Sequence, residues 1–329
     1  MKSQRIDKVF SVQESDFEAT TLEIFRFQYE QNPVYKAYAD AIGAGPLSVH
    51  KCDQIPFLPI RFFKSHAIQS GSFSPAVIFE SSGTTGTINS QHRVRDTDLY
   101  KQSFTNAFEL FYGPITDYCI IGLLPSYLER QHSSLVYMVN ELIRQTGHPS
   151  SGFYLDEWDK LGRLLHQLEE KKQKTLLIGV TFALLDLAER HPMPLKHTLL
   201  METGGMKGRR QEMIREEVHA ILKKAFHLPA IHSEYGMTEL LSQAYSKGDG
   251  IYQCPPWMRI LLRDEEDPLT IKKQHTASTG AINIIDLANI YSCSFIATDD
   301  AGRLLSNGKF EVLGRMDNTD LRGCSLLYM

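Results

Sequence analysis

One short segment concentrates the residue types that can hold an anion. Ser81-Ser82-Gly83-Thr84-Thr85-Gly86-Thr87 follows directly on the apolar run Ala76-Val77-Ile78-Phe79. Glycines let backbone N–H groups converge on one point, and the hydroxyls add further donors. A phosphate is the natural guest of such a loop. The segment is not a Walker A loop, because no lysine follows its second glycine. The chain also has no GxGxxG, so a dinucleotide fold has no support. Taken alone, the loop reads more readily as a flexible surface turn. The cysteines are Cys52, Cys119, Cys254, Cys293 and Cys324, with no CxxC pair and no zinc spacing among them.

The elements around the loop alternate. Ser15 with Glu18 predicts a capping box that opens a helix through Phe17, Thr21, Ile24, Phe25 and Gln28. Asn32-Pro33 predicts a second helix start, with a stop at Gly43. The prolines of Ile55-Pro56-Phe57-Leu58-Pro59-Ile60 forbid regular helix there. Beyond the loop, helices are expected over 96–112, 133–145, 158–172 and 210–225. Strands are expected over 76–79, 118–124, 175–180 and 198–201. That alternation predicts an α/β fold with a mainly parallel βαβ core. From about 250 the pattern becomes strand-like runs at 258–263, 281–287, 293–298 and 309–313, which predicts a β-rich C-terminal subdomain. The expected organisation is a helical segment at 1–70, an α/β core at 71–247, a β-rich subdomain at 248–316 and a C-terminal arm at 317–329.

Composition excludes several classes. The chain has 329 residues, with 35 Lys+Arg against 39 Asp+Glu and a net charge of −4, which argues against a dedicated nucleic-acid binder. Hydrophobic residues reach 42%, enough to build a core and exclude bulk disorder. The longest apolar stretch, Leu176 to Leu185, is too short to span a membrane. The N-terminus lacks a signal-peptide core. An odd, scattered cysteine set without an export signal predicts a cytoplasmic location.

Three later segments join the loop. They are His232-Ser233-Glu234-Tyr235-Gly236-Met237-Thr238-Glu239, Thr298-Asp299-Asp300-Ala301-Gly302-Arg303 and Gly314-Arg315-Met316-Asp317. With SSGTTGT, in this order, they resemble the phosphate loop, the aromatic-Gly-x-Thr-Glu motif, the Thr-x-Asp ribose motif and the Gly-Arg-x-Asp hinge of the adenylate-forming superfamily. The resemblance implies the large-domain architecture of those enzymes and the activation of a carboxylic acid with ATP and Mg²⁺. It assigns Ser81 through Thr87, with Gly204, Gly205, Tyr235, Gly236, Thr238, Asp300 and Arg315, to ATP. Thr238 would donate to the α-phosphate, Tyr235 would stack on adenine, and Asp300 would accept the ribose hydroxyls. Glu239 would hold Mg²⁺, a hard cation suited to a carboxylate. An aromatic residue or histidine often gates the acyl site in that superfamily, which makes Tyr127 and His132 weaker candidates; a lone histidine is more often structural.

The finer resemblance is to the acyl-protein synthetase (LuxE-type) family, the luciferin-component ligases of luminous bacteria. The residues that carry it are Pro56-Phe57-Leu58-Pro59-Ile60-Arg61-Phe62-Phe63-Lys64, the Gly204-Gly205-Met206-Lys207 turn, and a sequence that stops soon after Asp317. The expectation is therefore a protein without the mobile C-terminal lid domain of its larger relatives. By this resemblance the enzyme forms a fatty acyl adenylate, moves the acyl group to Cys324 and delivers it to an acyl reductase or another acceptor protein. Arg322 beside Cys324 would lower the thiol pKa. Lys207 would stand in for the lid's lysine, or is a solvated residue at a helix start. Two alternatives stay open. One is a ligase that uses coenzyme A or a carrier-protein thiol; the other is a non-catalytic adenylate-binding subunit.

Overall fold

The structure, a computed structural model, describes residues 2–81, 88–124, 132–155, 157–204, 213–272 and 278–316. The chain divides into two compact units. One comprises Met1–Ala76, Ser90–Arg95 and Pro256–Met329; the other comprises Val77–Asn89 and Asp96–Pro255.

The second of these units is a βαβ sheet. Gly152–Phe153, Cys119–Leu123, Thr175–Gly179, Thr198–Glu202 and His232–Tyr235 lie side by side in that order, all parallel. Ala244–Ser246 and Ile251–Gln253 continue the sheet antiparallel. Cys119–Leu123 and Thr175–Gly179 are buried at every residue, as strands covered on both faces must be. The helices are Thr97–Tyr112, Ser134–Thr146, Trp158–Glu170, Thr181–Arg190 and Arg215–Phe226. Capping sets the ends of the first two where the sequence placed them. The Asp96 carboxylate accepts from Asp98 N, the Ser133 hydroxyl accepts from Val136 N, and Gly147 takes the left-handed conformation after Thr146.

Two expectations need correction here. The helix expected from 210 begins at Arg215, where Glu217 reaches back to the backbone N–H of Ile214. The helix Thr181–Arg190 was not anticipated. Its residues Thr181, Phe182, Ala183, Leu184, Leu185, Leu187 and Ala188 are buried, so it has little of the polar face that marks an amphipathic helix.

Aromatic packing fixes the strand that ends just before Ser81. Phe79, on Val77–Glu80, meets Tyr100 edge-on at 5.6 Å and Tyr137 at 5.4 Å. Tyr100 and Tyr137 stack on each other at 5.9 Å. Each such pair adds about 0.5–1.5 kcal/mol beyond burial.

The other unit is built on an antiparallel sheet of Met258–Arg263, Ser278–Asp286, Phe295–Leu304 and Phe310–Arg315. The proline segment contributes a short strand, Leu58–Pro59, parallel to Phe295–Leu304. Lys2–Phe10, Glu14–Gln31 and Pro33–Ala41 are the helices at its N-terminus. The expected Ser15/Glu18 capping box is not formed. The helix starts at Glu14, and Asp16 accepts from Gln13 N at 2.7 Å instead. Asn32 caps the third helix as expected, through Tyr35 N at 3.0 Å. Buried Gln28 ties the long helix to the sheet unit. Its amide donates to Ile290 O at 2.9 Å and accepts from Ser294 N at 2.9 Å.

Candidate active site

In open α/β sheets, ligands bind beyond the carboxyl ends of the strands. Thr198–Glu202 and His232–Tyr235 are adjacent and parallel, with Met201 opposite His232 and Glu202 opposite Ser233. Their carboxyl ends therefore deliver Gly204 and Tyr235-Gly236-Met237-Thr238-Glu239 to one edge. Gly204 has φ +69°, and its carbonyl accepts from the Thr181 hydroxyl at 2.7 Å and from Thr181 N at 3.3 Å. The unanticipated helix thus anchors the glycine turn. Cys119–Leu123 leads at the same edge towards His132. The His132 carbonyl accepts from Glu80 N at 2.8 Å. Its Nδ1 lies 3.2 Å from Ile78 O, and a carbonyl can only accept, so Nδ1 carries the proton. His132 is thereby pinned beside the strand that precedes Ser81.

Beneath the aromatic-Gly-x-Thr-Glu segment lie two carboxylates that the sequence reading did not assign. The Thr203 hydroxyl donates to Glu234 Oε2 at 2.8 Å, and Glu202 Oε1 lies 2.5 Å from the Thr181 hydroxyl, whose single proton it shares with the Gly204 carbonyl. Burial pushes the Glu234 carboxyl up to about 7, against the opposing Thr203 hydrogen bond and with help from the Glu202 charge. Burial also raises Glu202, again against its threonine. A Cβ at Gly236 would come within 2.3 Å of Glu234 Oε1, so the glycine makes room for the folded-in carboxyl. Gln243 also borders Gly236. It is buried, and its Oε1 has no hydrogen-bond partner among the described residues. Acids placed just before each glycine turn were the available signal for Glu202 and Glu234.

Of the motif itself, Tyr235 and Thr238 are half-buried and Glu239 is buried at 5% exposure. The Tyr235 ring stands 5.9 Å from Tyr252. Leu240 N donates to Met237 O at 3.1 Å, closing a turn across Thr238 and Glu239.

Asp300 and Arg315 belong to the other unit. They are paired residues on neighbouring antiparallel strands, with Arg315 Nε 3.9 Å from Asp300 Oδ1. Arg315 is 84% exposed, so the pair contributes little to stability. The Thr298–Arg303 motif lies within the strand Phe295–Leu304 rather than forming a solvated turn. Its glycine is needed where it stands. A Cβ on Gly302 would lie 2.9 Å from Glu311 O and 2.7 Å from Ile282 Cδ1.

The structure therefore places Ser81, His132, Gly204, Tyr235, Gly236, Thr238 and Glu239 in one unit, and Asp300 and Arg315 in the other. The other sequence candidates lie outside the described residues. These are Ser82, Gly83, Thr84, Thr85, Gly86, Thr87, Tyr127, Gly205, Lys207 and Cys324. Among the described residues, no helix is long and apolar enough to cross a membrane.

No protein-family model matches the sequence, and no curated protein does either. Solved structures do. The 2-hydroxyisobutyryl-CoA ligase complexed with 2-HIB-AMP and CoA is matched over 95% of this chain and 71% of its own, with a TM-score of 0.65 and 13% identity. The fold is that of the adenylate-forming ligases. ATP-bound MatB from Rhodopseudomonas palustris matches over 86% of this chain, with a TM-score of 0.55 and 18% identity. The luciferase-like enzyme of the nonluminescent mealworm Zophobas morio matches over 76%, with a TM-score of 0.51 and 17% identity. This chain spans 58% of the length of MatB and 60% of that of the mealworm enzyme. The adenylate-forming fold accounts for both the parallel core and the β-rich C-terminal region.

Proposed function

We propose that the protein activates a carboxylic acid with ATP and passes the acyl group to a thiol. A carboxylate oxygen attacks the α-phosphorus, and the bond to pyrophosphate breaks. The thiolate then attacks the acyl carbon, and the bond to AMP breaks. One observation carries this reading. In an adenylate-forming fold, the Gly204 turn and the Tyr235–Glu239 segment leave neighbouring parallel strands at the carboxyl edge, where such folds take their ligands.

The residues divide the work by their chemistry. Tyr235 stacks on the base, Asp300 accepts the ribose hydroxyls, and Arg315 reaches the ribose-phosphate side. Ser81 through Thr87 hold the phosphates, with Thr238 donating to the α-phosphate and Lys207 countering its charge. Gly205 serves the same nucleotide as Gly204, and Tyr127 and His132 border the acid. Among the described residues no three His, Cys, Asp or Glu side chains cluster to hold a metal. A buried carboxylate such as Glu239 would suit Mg²⁺, a hard cation that takes oxygen ligands. When bound, Mg²⁺ neutralises charge on the phosphates.

Cys324 is the proposed acceptor thiol, a fatty acid the proposed substrate, and an acyl reductase or another acceptor protein the proposed partner. Among the described cysteines, burial pushes Cys52 and Cys119 up to about 11 and Cys293 up to about 12, which disfavours them as nucleophiles. Coenzyme A as acceptor is the second reading, favoured by the fold shared with a ligase complexed with CoA. Intact-mass measurement with ATP, Mg²⁺ and a panel of acids, without coenzyme A, separates them. A hydroxylamine-labile acyl mark supports transfer to Cys324; acyl transfer seen only when coenzyme A is added supports the second reading.

A further inference from the structure

The strand that carries Asp300 is not a regular partner of its neighbour. On Ser278–Asp286, Ala281 pairs with Ala301, but Asn283 pairs with Ala297. The partner strand thus runs through Thr298, Asp299 and Asp300 while its neighbour passes only Ile282. This is a bulge, and bulges re-aim side chains and are common next to functional sites. A bulge also frees ladder carbonyls, which are costly to bury unpaired.

Here a buried cation answers them. Arg263 ends the strand Met258–Arg263 and is 7% exposed. Its guanidinium donates to Thr298 O at 2.5 Å, to Ile282 O at 2.8 Å and to Asn283 Oδ1 at 2.8 Å. Ile282 O also accepts the Thr298 hydroxyl at 2.9 Å, and that hydroxyl accepts from Asp300 N at 3.2 Å. One guanidinium therefore reaches both sides of the bulge and is linked to the Asp300 N–H through Ile282 O and the Thr298 hydroxyl. A planar fork with fixed donors suits this task; a lysine ammonium does not.

The proline segment braces the same bulge on the opposite edge. Leu58 and Pro59 pair with Ile296 and Ala297, and Ile60 N donates to Ala297 O at 2.9 Å. Arg61 Nε then meets Asp299 Oδ2 at 3.0 Å. Of the two adjacent carboxylates, Asp299 is engaged by Arg61, while Asp300 is turned towards Arg315.

We infer that Arg263 is a positioning residue for ATP: it holds the Thr298–Asp300 bulge in the shape that aims Asp300 at the ribose hydroxyls. The inference rests on the adenylation reading of Asp300. It requires Arg263 to govern ribose recognition without touching the nucleotide.

The test compares acid-dependent ATP–pyrophosphate exchange with ATP and with 2′-deoxy-ATP in the parental protein, Asp300→Asn, Arg263→Met and Arg263→Lys. In the parental protein the missing hydroxyl should raise KM about tenfold or more, the cost of leaving a charged acceptor unpaired. Asp300→Asn should remove most of that preference. Arg263→Met should raise the KM for ATP about tenfold and reduce the preference to about twofold or less, with kcat for ATP within about threefold of parental. Arg263→Lys keeps the charge but not the fork, so it should fall between the two. It also serves if the methionine variant does not fold. Thermal unfolding of each variant identifies loss of the fold. A folded Arg263 variant that retains the parental ribose preference, while Asp300→Asn loses it, overturns the role of Arg263 alone. No preference in the parental protein overturns the reading of Asp300, and this inference with it.

Discussion

The Thr203 hydroxyl donates to the Glu234 carboxylate at 2.8 Å, bridging the ends of two neighbouring parallel strands. Some of the Glu234 residue surface reaches solvent, but its carboxyl is enclosed by Thr203 and the Gly236 backbone. Burial is the main reason the carboxyl titrates near 7, and the Glu202 charge adds to it.

That placement makes stability pH-dependent with a definite sign. Between the ordinary value near 4.5 and about 7, the folded protein holds a proton at Glu234 that the unfolded chain releases. Stability therefore falls as pH rises through this window, and the loss is complete above about 7. At about 1.4 kcal/mol per unit, the shift corresponds to roughly 3 kcal/mol. Glu234→Gln keeps an acceptor for Thr203 and has no charge to bury. Urea unfolding should show it more stable than the parental protein at pH 8 and nearly equal at pH 5. The same gap at both pH values would contradict the assignment.

Glu239 is buried and ends the motif turn. Glu239→Gln keeps its shape and removes the charged oxygen proposed to meet Mg²⁺. Acid-dependent pyrophosphate exchange should fall by about two orders of magnitude or more, with the unfolding midpoint little changed. Exchange at the parental rate would return Glu239 to a structural role.

Much of the fold was legible because local chemistry decides element ends. Asn32, Asp96 and Ser133 cap the helices they were expected to open, and Gly147 closes one. The helix Thr181–Arg190 was not legible, since a chain buried on nearly every side shows no period. His232–Tyr235, Ala244–Ser246 and Ile251–Gln253 are short and largely polar, and become strands only through their sheet neighbours. The candidate site is read from motif segments, which carry no shape. Nothing near Arg263 in the sequence announces its bonds to Ile282 and Thr298, because pairing between strands creates them.

Gly302 tests the packing of the Thr298–Arg303 segment. Its missing Cβ leaves room for Glu311 O and Ile282. Gly302→Ala sets a methyl group against the Glu311 carbonyl and should cost about 1–3 kcal/mol in urea unfolding. A variant as stable as the parental protein would show that the strands can part there without penalty.

Cys324→Ser separates the two half-reactions. The serine variant should keep acid-dependent pyrophosphate exchange and lose the hydroxylamine-labile acyl mark, because a hydroxyl is far less ionised than a thiol near neutral pH. Replacing Cys52, Cys119 or Cys293, all buried, should leave the mark in place wherever the variant folds. Parental labelling of Cys324→Ser would transfer the acceptor role to another thiol.

The central claim is acid activation by ATP, and acid-dependent ATP–pyrophosphate exchange measures it directly. The parental protein is incubated with Mg²⁺-ATP, labelled pyrophosphate and a panel of carboxylic acids graded from short to long chains. The account predicts label entering ATP above the acid-free background for at least one class of acid, and loss of that signal on chelating the metal. If ATP binds but no acid in the panel raises exchange above background, the protein does not form acyl adenylates and the account is contradicted.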